Sequence, residues 1–447
     1  VQTTPLRRLR DEDFFPRVQR LRRPESIRTA AIVAGLVVLA TVALVLWRPW
    51  PSAADVVWAE DGPVFLYQSF HIRFDDIVLW PYNGYAHVVP RLLTKAVTLL
   101  PVTWWALGLA TASALVRAGL GAVIWYSLAA HVTSRFARTL IAAVLVTLPL
   151  GNYETLDSVA NLHWFLTAAA LPTLLWAPAT WRGRVVQWLV VAGAVLSDPV
   201  TSLLAPLVLA RLVLVRRWPD QVVSLVFVAA SAVQAVIVVG STRATTSGMG
   251  LADIAPTYLV RVVLAAFGGK GGTEWAFGRA GWLAVAVAVL VSAVVLALGF
   301  REPGPHRVLI VSSLIASAGL FAVAMRFGIL TGNLTPTRPL NLSLSPRYSV
   351  TAAVLLLAAL VAAGAAALRA CRGRARLLMG AGAAGLIAIY TVGVVLSVGP
   401  LEPGSSTPWR VAVRQACTTK AEVVGSIKIA PSGWGVEVPC TLIRVDR

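Results

Sequence analysis

The chain has 447 residues, of which 57% are hydrophobic and 13% charged, and its mean hydropathy is +0.75. That exceeds what soluble globular domains carry, roughly 45–50% apolar residues, and excludes a soluble reading. Lys and Arg outnumber Asp and Glu by 39 to 20, for a net charge of +19; the arginines flank hydrophobic runs, which excludes a nucleic-acid patch and indicates orientation in a bilayer. The fold class expected is an all-α polytopic membrane protein.

In chain order, residues 1–29 read as a basic cytoplasmic tail with Arg7, Arg8, Arg10, Arg17, Arg20, Arg22, Arg23 and Arg28. No cleavable signal peptide is expected, because about thirty polar residues precede the first apolar run and no small-residue cleavage site follows it. The bias to Ala, Val and Arg over Lys suits a high-GC, actinobacterial type of bacterium. Windows of about 20 apolar residues fall near 30–48, 103–129, 137–151, 161–178, 185–197, 200–215, 221–240, 281–300, 307–327, 348–369 and 377–398. They predict about eleven crossings in one membrane domain, 30–398.

Charge sets the sides. With the N-terminus inside, the cytoplasmic loops hold Arg135 and Arg138, Arg182 and Arg184, Arg216 and Arg217, Arg301 and Arg307, and Arg369, Arg372, Arg374 and Arg376. All are short and basic, as the positive-inside rule requires. Residues 49–102, 152–160, 241–280, 328–347 and the tail 399–447 then lie outside, the C-terminus being extracytoplasmic and the location the plasma membrane. Cys371 is expected as a free thiol inside, and Cys417 with Cys440 as a disulfide on the oxidising side. Alternating runs at Val423–Ile429 and Val436–Val445 predict a small β-rich cap in 399–447. Amphipathic stretches Pro63–Phe74, His87–Leu100 and 251–267 predict helices along the membrane plane, the last ended by a flexible Gly268-Gly269-Lys270-Gly271-Gly272. Tryptophans 47, 50, 104, 105, 164, 176, 181 and 282 fall at span ends, where an aromatic belt is the default.

The acids of this acid-poor chain gather outside. Glu60-Asp61 closes the first span, followed by Asp75, Asp76, Asn83, His87 and Arg91; the next outer loop supplies Asn152, Glu154, Asp157, Asn161 and His163. Asp198 sits at a span break before Pro199, and Arg243, Arg261, Lys270, Arg279, Arg326, Arg338 and Arg347 supply cations. Arg117 lies inside a span and requires a partner there. A carboxylate in such a mixed-sign cavity can take a proton from an acceptor hydroxyl, and cations beside it can stabilise charge on a departing phosphate. Five histidines with no HxH or HExxH pair give no metal motif; a divalent cation is left open. No nucleophile-elbow sequence supports acyl transfer. The bland alternatives are a helix cap at Asp61 ahead of Gly62-Pro63, a second cap at Asp198, and an interfacial anchor at Arg347-Tyr348.

Glu60-Asp61, the Tyr85-Ala86-His87-Val88-Val89-Pro90-Arg91 stretch and Ser345-Pro346-Arg347-Tyr348 resemble the GT-C superfamily of integral membrane glycosyltransferases. The resemblance implies inverting transfer of a pentose or hexose, in the manner of an arabinosyl- or mannosyltransferase, from a polyprenyl-phosphate donor to a cell-envelope glycan or glycoconjugate. It implies Asp61 as the base with Glu60 as runner-up, and Arg347 as the donor-phosphate ligand. His87, Arg91, Lys270 and Arg326 are the further phosphate candidates, and Glu154, Asp157, His163 and Tyr348 the acceptor or sugar contacts. The alternatives are a flippase or transporter for a polyprenyl-linked lipid, which would put polar groups on broken helices at the midplane of repeated halves, and a non-catalytic envelope scaffold.

Overall fold

The computed structural model describes residues 14–16, 24–48, 55–150, 153–242, 248–328, 346–397, 407–418 and 423–445. Most of the basic N-terminal segment, Trp50, Asn152, Arg243, Arg338 and Ser345 lie outside the described residues. Twelve helices form the bundle: α1 Pro24–Trp47, α2 Trp105–Ser127, α3 Arg135–Thr147, α4 Leu162–Leu175, α5 Trp181–Ser197, α6 Ala205–Leu214, α7 Trp218–Gly240, α8 Leu251–Ala280, α9 Trp282–Arg301, α10 His306–Phe327, α11 Arg347–Ala370 and α12 Gly373–Leu396. Among the described residues seven, counting α2 with its flanking turns and α7 to α12, are long and apolar enough to cross a membrane. Leu209, Val213, Val236, Val239, Leu283, Leu290, Ile315, Leu377 and Leu378 stay exposed, the surface of a protein solvated by lipid.

Each of the eleven sequence windows coincides with a helix. The difference lies at α8, where the expected in-plane segment and flexible glycine run form one kinked helix of 30 residues. A wide turn covers Leu259–Leu264, and the chain bends at Gly269, whose φ is +62°. A Cβ on Gly269 would stand 2.7 Å from the Pro149 carbonyl oxygen. The glycine is there for a rigid bend against α3's end.

The short central helix α4 can be short because protein surrounds it. α4 has 14 residues, all buried, and spans about 21 Å at 1.5 Å per residue, less than a bilayer core of roughly 30 Å. With no lipid face it has no thickness to match, but its last carbonyls must be satisfied inside the protein. Arg211 of α6 donates to the carbonyls of Leu174 (2.6 Å) and Trp176 (3.0 Å), and Gln187 of α5 to those of Thr173 (2.8 Å) and Trp176 (2.7 Å). α11 is the other central helix, packed by α9, α10, α3 and α4.

Side-chain bridges sort the helix ends into two groups. At one end Arg48 donates to the carbonyls of Val146 (2.7 Å) and Leu148 (3.3 Å) and to Ser397 Oγ (2.9 Å). There too, Gln234 of α7 holds the carbonyls of Ala86 and Val195, and Met249 bonds Met325. At the other end Arg184 pairs with Asp220 at 3.3 Å, and His131 meets the Phe14 carbonyl. The arginine-rich connections predicted from charge share this second end. The tryptophans divide differently from the expected belt: Trp47, Trp104, Trp181 and Trp282 are exposed, whereas Trp105, Trp164 and Trp176 are core residues.

The C-terminal cap is partly β. Strands Val424–Ile429 and Trp434–Pro439 pair antiparallel, while short helices Trp409–Gln415 and Cys440–Val445 flank them. The second alternating run thus ends in a helix beyond Pro439. The cap shares a core with the first loop and α2, with Trp409 stacked on Trp105 and donating to the Val102 carbonyl at 2.7 Å. Cys417 and Cys440 are disulfide-bonded and Cys371 is free. Alkylation of the detergent-solubilised protein without reductant should therefore label Cys371 alone, read by peptide mass mapping. Cys417→Ser should cost about 2–4 kcal/mol of stability in equilibrium unfolding.

Candidate functional site

The site lies where the first loop, the 153–163 segment and the start of α11 meet. Trp58 to Asp61 enter a tight turn that continues through Gly62–Leu66, presenting Glu60 to one side and Asp61 to the other. Beyond it, Asn83-Gly84 turns the chain between strands Pro81–Tyr82 and Tyr85–Ala86, both turn residues having positive φ (52° and 85°), the geometry of the tightest hairpins. His87 then starts the helix Val88–Val97.

A cavity of about 360 Å³ opens between these elements, within the roughly 300–1,000 Å³ of small-ligand sites. Its polar wall holds Glu60, His87, Asn161, His163, Asp198 and Arg347; Tyr82, Tyr85, Trp164 and Tyr348 add aromatic faces. Leu203, Val238, Val323 and Phe327, from the approach to α6 and from α7 and α10, make its apolar lining.

Arg347 is the centre of charge. Its Nη1 lies 3.1 Å from Glu60 Oε1 and 3.3 Å from Glu154 Oε1. The other Glu60 oxygen, Oε2, is buried and carries no hydrogen bond. Burial lifts the Glu154 carboxyl above its ordinary range, while Arg347 pulls it back.

Asp61 is arranged differently. It is buried at 1% exposure, its oxygens accept the backbone N–H groups of Ala160 (2.9 Å) and Val159 (3.2 Å), and it does not line the cavity. Burial pushes its carboxyl up to about 8, against the pull of the Ala160 N–H and with a further push from Glu60. Asp61 does not cap the Gly62 turn as the bland reading had it; it ties the first loop to the second.

Two histidines face the cavity with unfilled nitrogens. His87 is 3% exposed, and neither ring nitrogen has a partner in hydrogen-bond geometry. Burial, then His163 and Arg91, drive His87 well below its ordinary value, so the ring is neutral. His163 bonds the Ala160 carbonyl through Nδ1 at 2.7 Å, which in the neutral ring leaves Nε2 as an unfilled acceptor. The rings stand edge to face, 5.5 Å apart.

The remaining candidates divide. Tyr348 lines the cavity and packs on Trp164. Arg91 shares the helix with His87 but is spent on Gln68 Oε1 (2.8 Å) and the face of Phe65. Lys270 and Arg326 are exposed and off the cavity wall. Asp198 caps the turn before α6, accepting from the Val200 N–H at 3.0 Å, while its residue also faces the cavity. Asp157 is buried, and neither of its oxygens is hydrogen-bonded; burial pushes it up to about 7, opposed by Arg117 and Arg48. Arg117 thereby has the partner its position in α2 demanded.

Tyr82, Tyr85 and Trp164 were not among the sequence candidates. The Asn-Gly between two tyrosines was the available signal for the first two, and Trp164 was hidden by its belt-like position. Among the described residues no group of three or more His, Cys, Asp or Glu could hold a metal. No protein-family model matches the chain, and no curated protein is significantly similar to it.

Two outcomes follow from these electrostatics. Arg347→Met leaves two buried carboxylates uncompensated and should cost about 3–5 kcal/mol; the triple variant with Glu60→Gln and Glu154→Gln should recover most of that in thermal unfolding. Asp157 holds its proton to about 7 in the folded chain, against about 3.9 when unfolded, so the folded state binds the extra proton between those values. Stability should fall as pH rises from about 4 through 7, and Asp157→Asn should flatten that part of the profile.

Proposed function

We propose that this protein is a membrane glycosyltransferase of GT-C type, moving a monosaccharide from a polyprenyl-phosphate donor to a cell-envelope acceptor with inversion. In this reading its N-terminus is cytoplasmic, its spans number about eleven, and its cavity opens on the extracytoplasmic face. The observation that carries the reading is Glu60: one oxygen held by Arg347, the other unbonded, on the wall of a cavity with mixed polar and apolar lining.

In this reading Glu60 Oε2 takes the proton of the acceptor hydroxyl as that oxygen attacks the anomeric carbon. The glycosyl–phosphate bond breaks on the opposite face, and the lipid phosphate leaves with the bonding electron pair. Arg347 has guanidinium N–H groups beyond those on Glu60 and Glu154 to meet that phosphate. Neutral His87 and the unfilled His163 Nε2 supply hydrogen-bond partners for sugar hydroxyls, and Tyr82, Tyr85, Trp164 and Tyr348 supply faces for apolar sugar surface. The apolar lining suits the first prenyl units. Asp61 acts as the brace that aligns Glu60.

A flippase would need the polar groups along a crossing path; here they are concentrated at one end. The test is transfer by the purified protein in nanodiscs, offered polyprenyl-phosphate arabinofuranose, mannose, glucose or galactose with envelope-glycan acceptors. Glu60→Gln should lower kcat by about 10²–10⁴, the usual worth of a general base, with the donor KM nearly unchanged. Asp61→Asn should lose thermal stability and a smaller part of kcat. Wild-type turnover by Glu60→Gln would remove the base assignment, and no transfer from any donor would remove the enzyme.

A further inference from the structure

The residue before Glu60 has a backbone that its side chain does not favour. Ala59 has φ +36°, a conformation that costs a non-glycine residue on the order of 1–3 kcal/mol and persists only where its surroundings enforce it. The enforcing contacts come from the far end of the chain. The Ala59 N–H donates to the Ala430 carbonyl at 2.5 Å, and the Ala430 N–H donates to the Val57 carbonyl at 3.2 Å. Trp58 and Ala430 make a parallel bridge. On the other side of Glu60, Gly62 lies so close to the hairpin that a Cβ there would stand 2.4 Å from Ile429 Cδ1 and 3.4 Å from Val436 Cβ.

Glu60 is thus gripped two residues wide by the hairpin Val424–Pro439. That hairpin is closed at its base by the Cys417–Cys440 disulfide and seated on α2 by Trp409. None of these cap residues lines the cavity.

We propose that the cap is a positioning element for Glu60: Ala430 and Ile429 hold the turn that aims the carboxylate at Arg347, and the disulfide keeps the hairpin in place to do so. The consequence for turnover rests on the glycosyltransferase reading; the clamp itself does not. Opening the Cys417–Cys440 disulfide, with two electrons from an added phosphine that becomes its oxide and two protons from water, would release the Glu60 turn while the bundle stays folded.

Amide hydrogen exchange of the full chain in nanodiscs, with and without a phosphine reductant, tests the clamp directly. Exchange across 57–62 should quicken at least tenfold on reduction, with α11 unchanged, and the same should hold for Cys417→Ser without reductant. Unchanged protection of 57–62 in both arms would overturn the proposal. Gly62→Ala should also quicken exchange there, and the Gly62→Ala/Ile429→Val double variant, which removes the clashing Cδ1, should restore protection; failure of that rescue would count equally against it.

Where transfer is measurable, reduction should lower kcat about tenfold with the donor KM unchanged, and have no further effect in the Glu60→Gln background. Loosened 57–62 exchange with undiminished kcat would overturn the positioning role. Absence of any wild-type transfer would remove the enzyme reading while the exchange arms still decide the clamp.

Discussion

Three parts of the chain far apart in sequence meet on one guanidinium. Arg347 begins α11, the central helix; Glu60 sits in the loop after α1; Glu154 sits in the short turn before α4. Glu154 also feels Arg261, and together with the Asp61 bonds to Val159 and Ala160 this junction holds the first loop over the bundle. The arrangement is costly in low dielectric, where desolvation offsets most of the Coulomb gain. That cost is evidence of use: a purely structural junction between these segments could be made by apolar packing, as the cap makes one against α2.

The same dielectric logic orders the rest of the bundle. α4 and α11 are sheathed in protein, so their polar needs must be met by neighbours. At the basic end, Arg211 and Gln187 meet them by filling the orphan carbonyls of α4 with donors, one of them charged, at the end where a helix dipole favours a cation. At the site end, hydrogen bonding is left incomplete: Glu60 Oε2, both His87 nitrogens, His163 Nε2 and Trp164 Nε1 are buried without partners. A ligand with several hydroxyl or phosphate oxygens would complete these groups.

Much of this was legible in sequence because it follows from composition at short range. Hydropathy located the helices, arginine placement sorted their ends, and the paired outer cysteines gave the disulfide. Glu60-Asp61 and Arg347 stood out as charges where charge is costly. What could not be read was which carboxylate faces the cavity. That choice is made by the backbone N–H groups of Val159 and Ala160, about a hundred residues away, which take Asp61 and leave Glu60. For the same reason sequence could not show that Arg91, correctly spaced from His87, also bonds Gln68 and packs on Phe65, neither of them on its helix. The bend at Gly269 was hidden because a glycine-rich run reads as flexible until the Pro149 carbonyl pressing on it is known.

Beneath the Arg347 junction lies a second, more deeply buried group of charges, Arg48, Arg117 and Asp157. Its members come from α1's end, the middle of α2 and the segment leading into α4, and its single acid lies three residues after Glu154. Asp157 therefore answers to the two arginines below while Glu154 answers to Arg347 above, and one short turn carries both. The geometry that this turn presents to a ligand therefore depends on the protonation of Asp157 as well as on the Arg347 contacts.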